Sequence, residues 1–192
     1  KQAGITPDIT DLSVQPFPEE TVQEYDLVAI SVPMHTALRI GVSAAKRIRK
    51  INPDAHINFF GHYAALNSDY LRKKHADSTI GGEFETALLA LITSPEKTSD
   101  LRLDRQDFPV PFRDTLLPLK KYAHFDNGKE HLPAGYVETT RGCKHLCTHC
   151  PIPPVYNGKF FGISEETVLA DIRQQVKAGA RHITFGDPDF FN

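Results

Sequence analysis

The sequence predicts an α/β protein, and three observations carry the prediction. Asp26-Leu27-Val28-Ala29-Ile30-Ser31-Val32 is a nearly continuous apolar run, which fits a strand buried on both faces of a parallel sheet. Over residues 26–92 such runs alternate with helical periodicity, giving strand–helix–strand–helix–strand–helix. Over residues 136–185 a strand, a loop, a helix and a second strand follow one another. Together they imply a Rossmann-like open parallel sheet with helices on its faces, a linker, and then the opening βαβ unit of a barrel or second parallel sheet.

Residues 9–14 (Ile-Thr-Asp-Leu-Ser-Val) are β-rich, and Pro16 and Pro18 end that run because proline lacks the donor a central strand needs. Pro18 to Val22 reads as the first turn of a short helix, with Glu19 and Glu20 at its positive end. After the strand at 26–32, a helix is expected from Thr36 to Lys50. Leu38, Val42, Ala45 and Ile48 share one face, Thr36 is placed to cap the start, and Asn52-Pro53 stops it. Lys46, Arg47, Arg49 and Lys50 gather at its negative end, which reads as a solvated helix terminus rather than a phosphate patch. His56 to Gly61 is the next strand. Asn67-Ser68-Asp69 caps a short helix through Lys74, Ala76 to Ile80 is a third strand, and Phe84 to Ile92 is helical.

Ligands of open parallel sheets sit beyond the carboxyl ends of the strands. Those ends are Ser31 to His35, Gly61-His62-Tyr63 and Gly81-Gly82-Glu83, where glycines would let a ligand approach the backbone. His35 is a candidate metal ligand, set against the plainer reading of a hydrogen-bonding surface residue. From Thr93 to Leu132, Pro95, Pro109, Pro111 and Pro118 with many charges read as a linker, with a short helix near Arg113–Tyr122. Tyr136 to Thr140 is then a strand, and Pro151, Pro153 and Pro154 should hold the chain extended after it. Ser164 caps a helix with Glu165 and Glu166 in its first turn. Val168, Ile172 and Val176 form its apolar stripe with Leu169 beside them, and Gly179 is its stop. Arg181 to Phe185 is the closing strand, ending in Gly186-Asp187-Pro188-Asp189.

Composition narrows the function classes. With 22 basic and 24 acidic residues among 192, the formal net charge is −2, so nucleic acid and anionic membranes are not indicated. No run of about 18 apolar residues is present to span a bilayer. An odd number of clustered cysteines suits a disulfide framework poorly, which places the chain in a reducing, cytoplasmic setting. Both ends read as cut, the first residues like a helix end entering a strand and the last stopping just after one, so the chain is expected to be a fragment.

The chemistry lies in Arg141-Gly142-Cys143-Lys144-His145-Leu146-Cys147-Thr148-His149-Cys150, which holds all 3 cysteines. Three thiolates at Cys-x-x-x-Cys-x-x-Cys suggest a metal or cluster site one ligand short of closure. Zinc would take His145 or His149 as its fourth ligand and would make this a zinc-stabilised binding module. A redox Cys147-x-x-Cys150 pair would leave Cys143 unexplained. A two-cluster ferredoxin needs more cysteines. The placement in a loop after a barrel-type strand favours an iron–sulfur cluster with one open iron over zinc.

This spacing after a strand resembles the radical S-adenosylmethionine (SAM) superfamily. The resemblance implies that Cys143, Cys147 and Cys150 bind a [4Fe–4S] cluster whose open iron chelates the amino and carboxylate groups of SAM. It further implies reductive cleavage of SAM to a 5′-deoxyadenosyl radical, with the electron coming from a reductase, flavodoxin or ferredoxin. By position, His149 corresponds to a residue near the adenine. Gly186, Asp187 and Asp189 correspond to the segment holding the SAM amino group, with acids in place of the commoner Gly-Gly-Glu. An α/β domain before such a barrel resembles the cobalamin-binding subfamily, and Gly81-Gly82-Glu83-Phe84-Glu85 is similar to the turn ending that domain, although the Asp-x-His-x-x-Gly motif of many cobalamin proteins is absent. On this reading residues 1–92 are a cobalamin-binding-like domain, 93–132 a linker, and 133–192 the start of a partial TIM barrel. Gly135 to Tyr156 and Ala178 to Asn192 look closest to the radical SAM group named for a CUAEP/CCAEP tail. A methylthiotransferase-like enzyme acting on RNA or protein is the alternative within the superfamily. Its usual amino-terminal domain carries three further cysteines, and residues 1–142 contain none. The substrate is not legible in these residues.

Overall fold

The computed structural model describes residues 4–95 and 99–190. They form two compact units. One takes Pro16–Arg105 together with His145–Asn157, and the other takes the remaining described residues.

In the first unit, β1 (Leu27–Ser31), β2 (His56–Phe60), β3 (Ser78–Gly82) and β4 (Ser99–Arg102) form one sheet in the order β1-β2-β3-β4, every pair parallel. α1 (His35–Ile51), α2 (His62–Leu66), α3 (Ser68–Lys74) and α4 (Glu85–Thr93) alternate with these strands. The expected α/β class with an open parallel sheet is therefore what the structure shows. β2 and β3 sit between other strands and are buried almost throughout, as their apolar and small residues require. The core is Val32, Ile57, Phe59 and Leu71, all at 0% exposure, closed by Leu38, Ala45 and Ile48 of α1. Gly41 lets α1 lie close to the sheet, since a Cβ there would stand 2.9 Å from Ile30 Cγ2 and 3.1 Å from Phe59 Cε1.

Several expectations change here. Thr36 does not cap α1. The chain enters the helix earlier, from an extended Met34, and Thr36 lies in its first turn. The stop at Asn52 holds, and its side-chain amide also donates to the carbonyls of Val22 (3.2 Å) and Tyr25 (3.0 Å). The basic end of α1 is tied into the fold. Arg49 donates to the carbonyls of Pro53 (2.8 Å) and Ala55 (2.9 Å) and to Asp77 Oδ2 (2.6 Å), while Arg47 pairs with Glu19 over the ring of Phe17. Ser99–Arg102, within the stretch expected as a linker, is the edge strand β4, whose polar sequence suits an edge. The helix expected near 113–122 is reduced to a single 3-10 turn at Leu119–Lys121. Pro153 and Pro154 do not extend the chain. They open the short helix α5 (Pro153–Tyr156), where a missing N–H costs nothing.

In the second unit, β5 (His124–Asp126) pairs antiparallel with β6 (His131–Val137), and β6 pairs in parallel with β9 (His182–Phe185), from Ala134 opposite His182 to Val137 opposite Phe185. β7 (Thr140–Gly142) pairs antiparallel with β8 (Phe160–Gly162). The strand expected over 136–140 is thus broken at Glu138-Thr139. Residues 9–14 form no strand: Asp11 turns the chain by accepting from Ser13 N (2.9 Å) and Oγ (2.6 Å). α6 (Glu165–Lys177) starts as expected, with Ser164 Oγ accepting from Thr167 N at 3.2 Å, and Gly179 ends it at φ +103°.

The buried face of α6 is not its apolar stripe. Val176 is 54% exposed, whereas Asp171 and Gln175 are buried. The reason lies in β6. Tyr136 turns its N–H and carbonyl away from β9, and Gln175 meets both, Oε1 accepting from Tyr136 N (2.9 Å) and Nε2 donating to Tyr136 O (3.0 Å). Gly135 makes room, since a Cβ there would lie 2.6 Å from Gln175 Oε1. Arg113 holds Asp171 through two bonds of 2.7 and 2.8 Å and also donates to Tyr136 O at 3.0 Å.

Candidate functional site

The parallel register of β6 and β9 brings the residues after Val137 and Phe185 to one end of the strand pair. There Asp187 Oδ1 accepts three hydrogen bonds, from Thr139 N (2.9 Å), Thr139 Oγ1 (2.8 Å) and Thr140 Oγ1 (2.5 Å). Its other oxygen, Oδ2, is buried and has no hydrogen-bond partner among the described residues. A carboxylate held this way is fixed in orientation and keeps acceptor capacity for a donor group. Gly186 is needed beside it: its N–H donates to Val137 O (2.9 Å), and a Cβ would fall 1.9 Å from Tyr136 Oη. The Tyr136 hydroxyl lies 3.4 Å from both Glu138 Oε1 and Gly186 O. Burial, the Glu138 carboxylate and Asp187 raise its pKa to about 12, so it stays a neutral donor.

Cys143 follows β7 and is buried, its Sγ 3.7 Å from Asp189 Oδ2. Gly142, at φ +78°, turns the chain into it. This unit therefore gathers Cys143, Gly186, Asp187 and Asp189. Cys147, His149 and Cys150 belong to the other unit. There Cys150 N donates to Cys147 O at 3.3 Å, Cys147 and His149 are exposed, and Cys150 is half-buried. All three cysteines are free thiols. Among the described residues, no three His, Cys, Asp or Glu side chains are gathered in a metal-binding group. His35 is exposed and edge-on to Tyr63, ring centroids 6.4 Å apart.

The glycine turn after β3 serves the chain itself. A Cβ on Gly81 would meet Ala65 Cβ at 2.5 Å, and one on Gly82 would meet Arg102 O at 1.9 Å. Glu83 is fully buried and accepts from Tyr156 Oη at 2.9 Å, and the Tyr156 ring stacks on His62 at 5.5 Å. Sequence reasoning missed this group. The only sign of it is an acid placed directly after a small-residue strand.

No protein-family model matches the chain. It is 33% identical over 88 residues to the ribosomal protein uS12 methylthiotransferase RimO of Opitutus terrae, an alignment covering 44% of this chain and 18% of that protein. It is 24% identical over 147 residues to the threonylcarbamoyladenosine tRNA methylthiotransferase MtaB of Rickettsia prowazekii, covering 76% of this chain and 32% of that one. Both matches support a link to the radical SAM superfamily. An uncharacterised protein of Methanocaldococcus jannaschii is 25% identical across 100% of this chain and 44% of its own length. The chain thus spans less than half the length of each of these relatives. No helix among the described residues is long and apolar enough to cross a membrane.

Proposed function

We propose that the chain carries the cluster-binding part of a radical SAM enzyme. The observation that carries this reading is the Asp187 carboxylate, fixed at the end of β9 by three donors with its second oxygen buried and unpartnered among the described residues, in the same unit as Cys143. Three free thiols at Cys-x-x-x-Cys-x-x-Cys have the softness an iron–sulfur cluster requires. Cys143, Cys147 and Cys150 would hold a [4Fe–4S] cluster, Asp187 would accept from the amino group of SAM, and His149 would lie against the adenine. When bound, the cluster supplies the electron that cleaves the SAM sulfonium. That electron would come from a reductase, flavodoxin or ferredoxin.

Within the superfamily, the stretches 135–156 and 178–192 support the group named for its CUAEP/CCAEP tail. The two methylthiotransferase relatives favour a second reading, a methylthiotransferase-like activity. Cobalamin as a methyl carrier finds less support, because the Gly81-Gly82-Glu83 turn is filled by Ala65, Arg102 and Tyr156. Anaerobic reconstitution with iron and sulfide tests the proposal. A brown protein with bound iron and sulfide is expected, and Cys143→Ala should abolish both. A colourless protein retaining one zinc would overturn the cluster in favour of a zinc-stabilised module. In the reconstituted protein, Asp187→Asn should weaken SAM binding by roughly tenfold or more, as expected for losing a charge-assisted hydrogen bond, and leave the iron content unchanged. Added hydroxocobalamin that is not retained through gel filtration would remove the corrinoid.

A further inference from the structure

Tyr156 lies six residues beyond Cys150, and both belong to the unit built on β1–β4. The stretch between them is fastened through Tyr156. At its far end Tyr156 is 5% exposed, donates to Glu83 Oε1 at 2.9 Å, and lays its ring on His62 at 5.5 Å with the planes 22° apart. Val155, the residue before it, is also buried at 3% exposure. Glu83 in turn is seated by its own N–H, which donates to Arg102 O at 2.7 Å. A fully buried carboxylate is costly unless it is bonded, so its retention at 0% exposure calls for a partner that must be kept in place. One such partner is the Tyr156 hydroxyl, on the segment carrying two of the three thiols.

We infer that Glu83, Tyr156 and His62 form a buried anchor that fixes Cys150, and through the Cys150–Cys147 turn also Cys147, in position to ligate. This rests on the cluster reading above. The three are positioning residues, working through the backbone rather than on a thiol. They act by limiting how far the Pro151–Tyr156 stretch can move, which sets the thiol positions before any metal arrives and holds them afterwards.

The test uses the full chain with Tyr156→Phe, which keeps the ring stack and removes the hydroxyl, and His62→Ala, which removes the stack. In the metal-free proteins, alkylation of each cysteine by iodoacetamide is followed by mass spectrometry. Cys150 should react roughly fivefold faster in either variant, the scale of losing one net hydrogen bond, while Cys143 is unchanged. In the reconstituted proteins, the electron paramagnetic resonance signature and midpoint potential of the reduced cluster should shift from wild type. Glu83→Gln, which keeps an acceptor for Tyr156, should restore wild-type behaviour relative to Glu83→Ala. Unchanged Cys150 alkylation in both the Tyr156→Phe and His62→Ala variants would overturn the anchor. If wild-type protein binds no cluster, the cluster reading falls and the alkylation arm alone decides the anchor. Equal acceleration at all three cysteines would mean general loosening and would overturn it as well.

Discussion

The two units seat their helices on different chemistry. In the unit built on β1–β4, Leu38, Ala45 and Ile48 of α1 join the apolar cluster of Val32, Ile57, Phe59 and Leu71, which needs no directional bonds. The unit built on β6 and β9 meets its helix through Asp171 and Gln175, whose partners are Arg113, Gln174 and the backbone of Tyr136. Apolar burial is large in energy and tolerant of direction. A hydrogen-bonded seam is smaller in energy and strict in geometry, since each group left unpaired costs its full desolvation. Asp187 lies at the strand ends of the unit whose helix is seated by directional bonds.

Substitutions followed by urea denaturation probe the two kinds of packing. Phe59→Ala should cost the most, about 3–5 kcal/mol, because it opens a cavity under a fully buried ring. A loss below about 1 kcal/mol would mean that the sheet core is not what chiefly holds this unit together. Asp171→Ala should cost about 2–3 kcal/mol by stranding Arg113 and freeing Gln175. Paired with Arg113→Met it should cost less than the two separate losses summed, and strict additivity would show that the seam is not one network. Ser164→Ala should cost about 1 kcal/mol through loss of the α6 cap. The smallest effect concerns acid. Burial lowers the His62 pKa below its ordinary value, with the Pro151 carbonyl pulling it partly back. The unfolded chain then takes the proton first as pH falls below about 6.5. Wild-type stability should therefore decline below that pH, and the decline should be shallower in His62→Phe. Parallel curves would remove His62 from the acid response.

The apolar runs made the sheet legible. Asp26–Val32 needed only near-continuous hydrophobicity to be read as β1, and His56–Gly61 was read as β2 from its Ile57, Phe59 and Phe60. Helix α6 was legible at both ends because Ser164 and Gly179 act locally. Its buried face was not, since Asp171 and Gln175 are inside only because Tyr136 and Arg113 face them, partners distant in sequence. β4 was hidden for a related reason: Ser99-Asp100-Leu101-Arg102 is too polar to announce a strand, and it is one because β3 lies alongside. In the candidate site, the cysteine spacing and Asp187 were legible as types of residue. The three bonds that orient Asp187 came from Thr139 and Thr140, read in the sequence only as strand residues.

By giving Tyr136 both an acceptor and a donor, and with Arg113 donating to the same carbonyl, the amide of Gln175 occupies the free margin of β6 at Tyr136 with side chains. A neighbouring molecule that tried to lay its own backbone there would find no unclaimed N–H or carbonyl at Tyr136. Exposed margins of this kind seed intermolecular β-stacking and fibres. A polar residue on the inner face of a helix is here a guard against self-association, and Gln175→Leu should make the protein aggregate sooner on concentration, measured by light scattering.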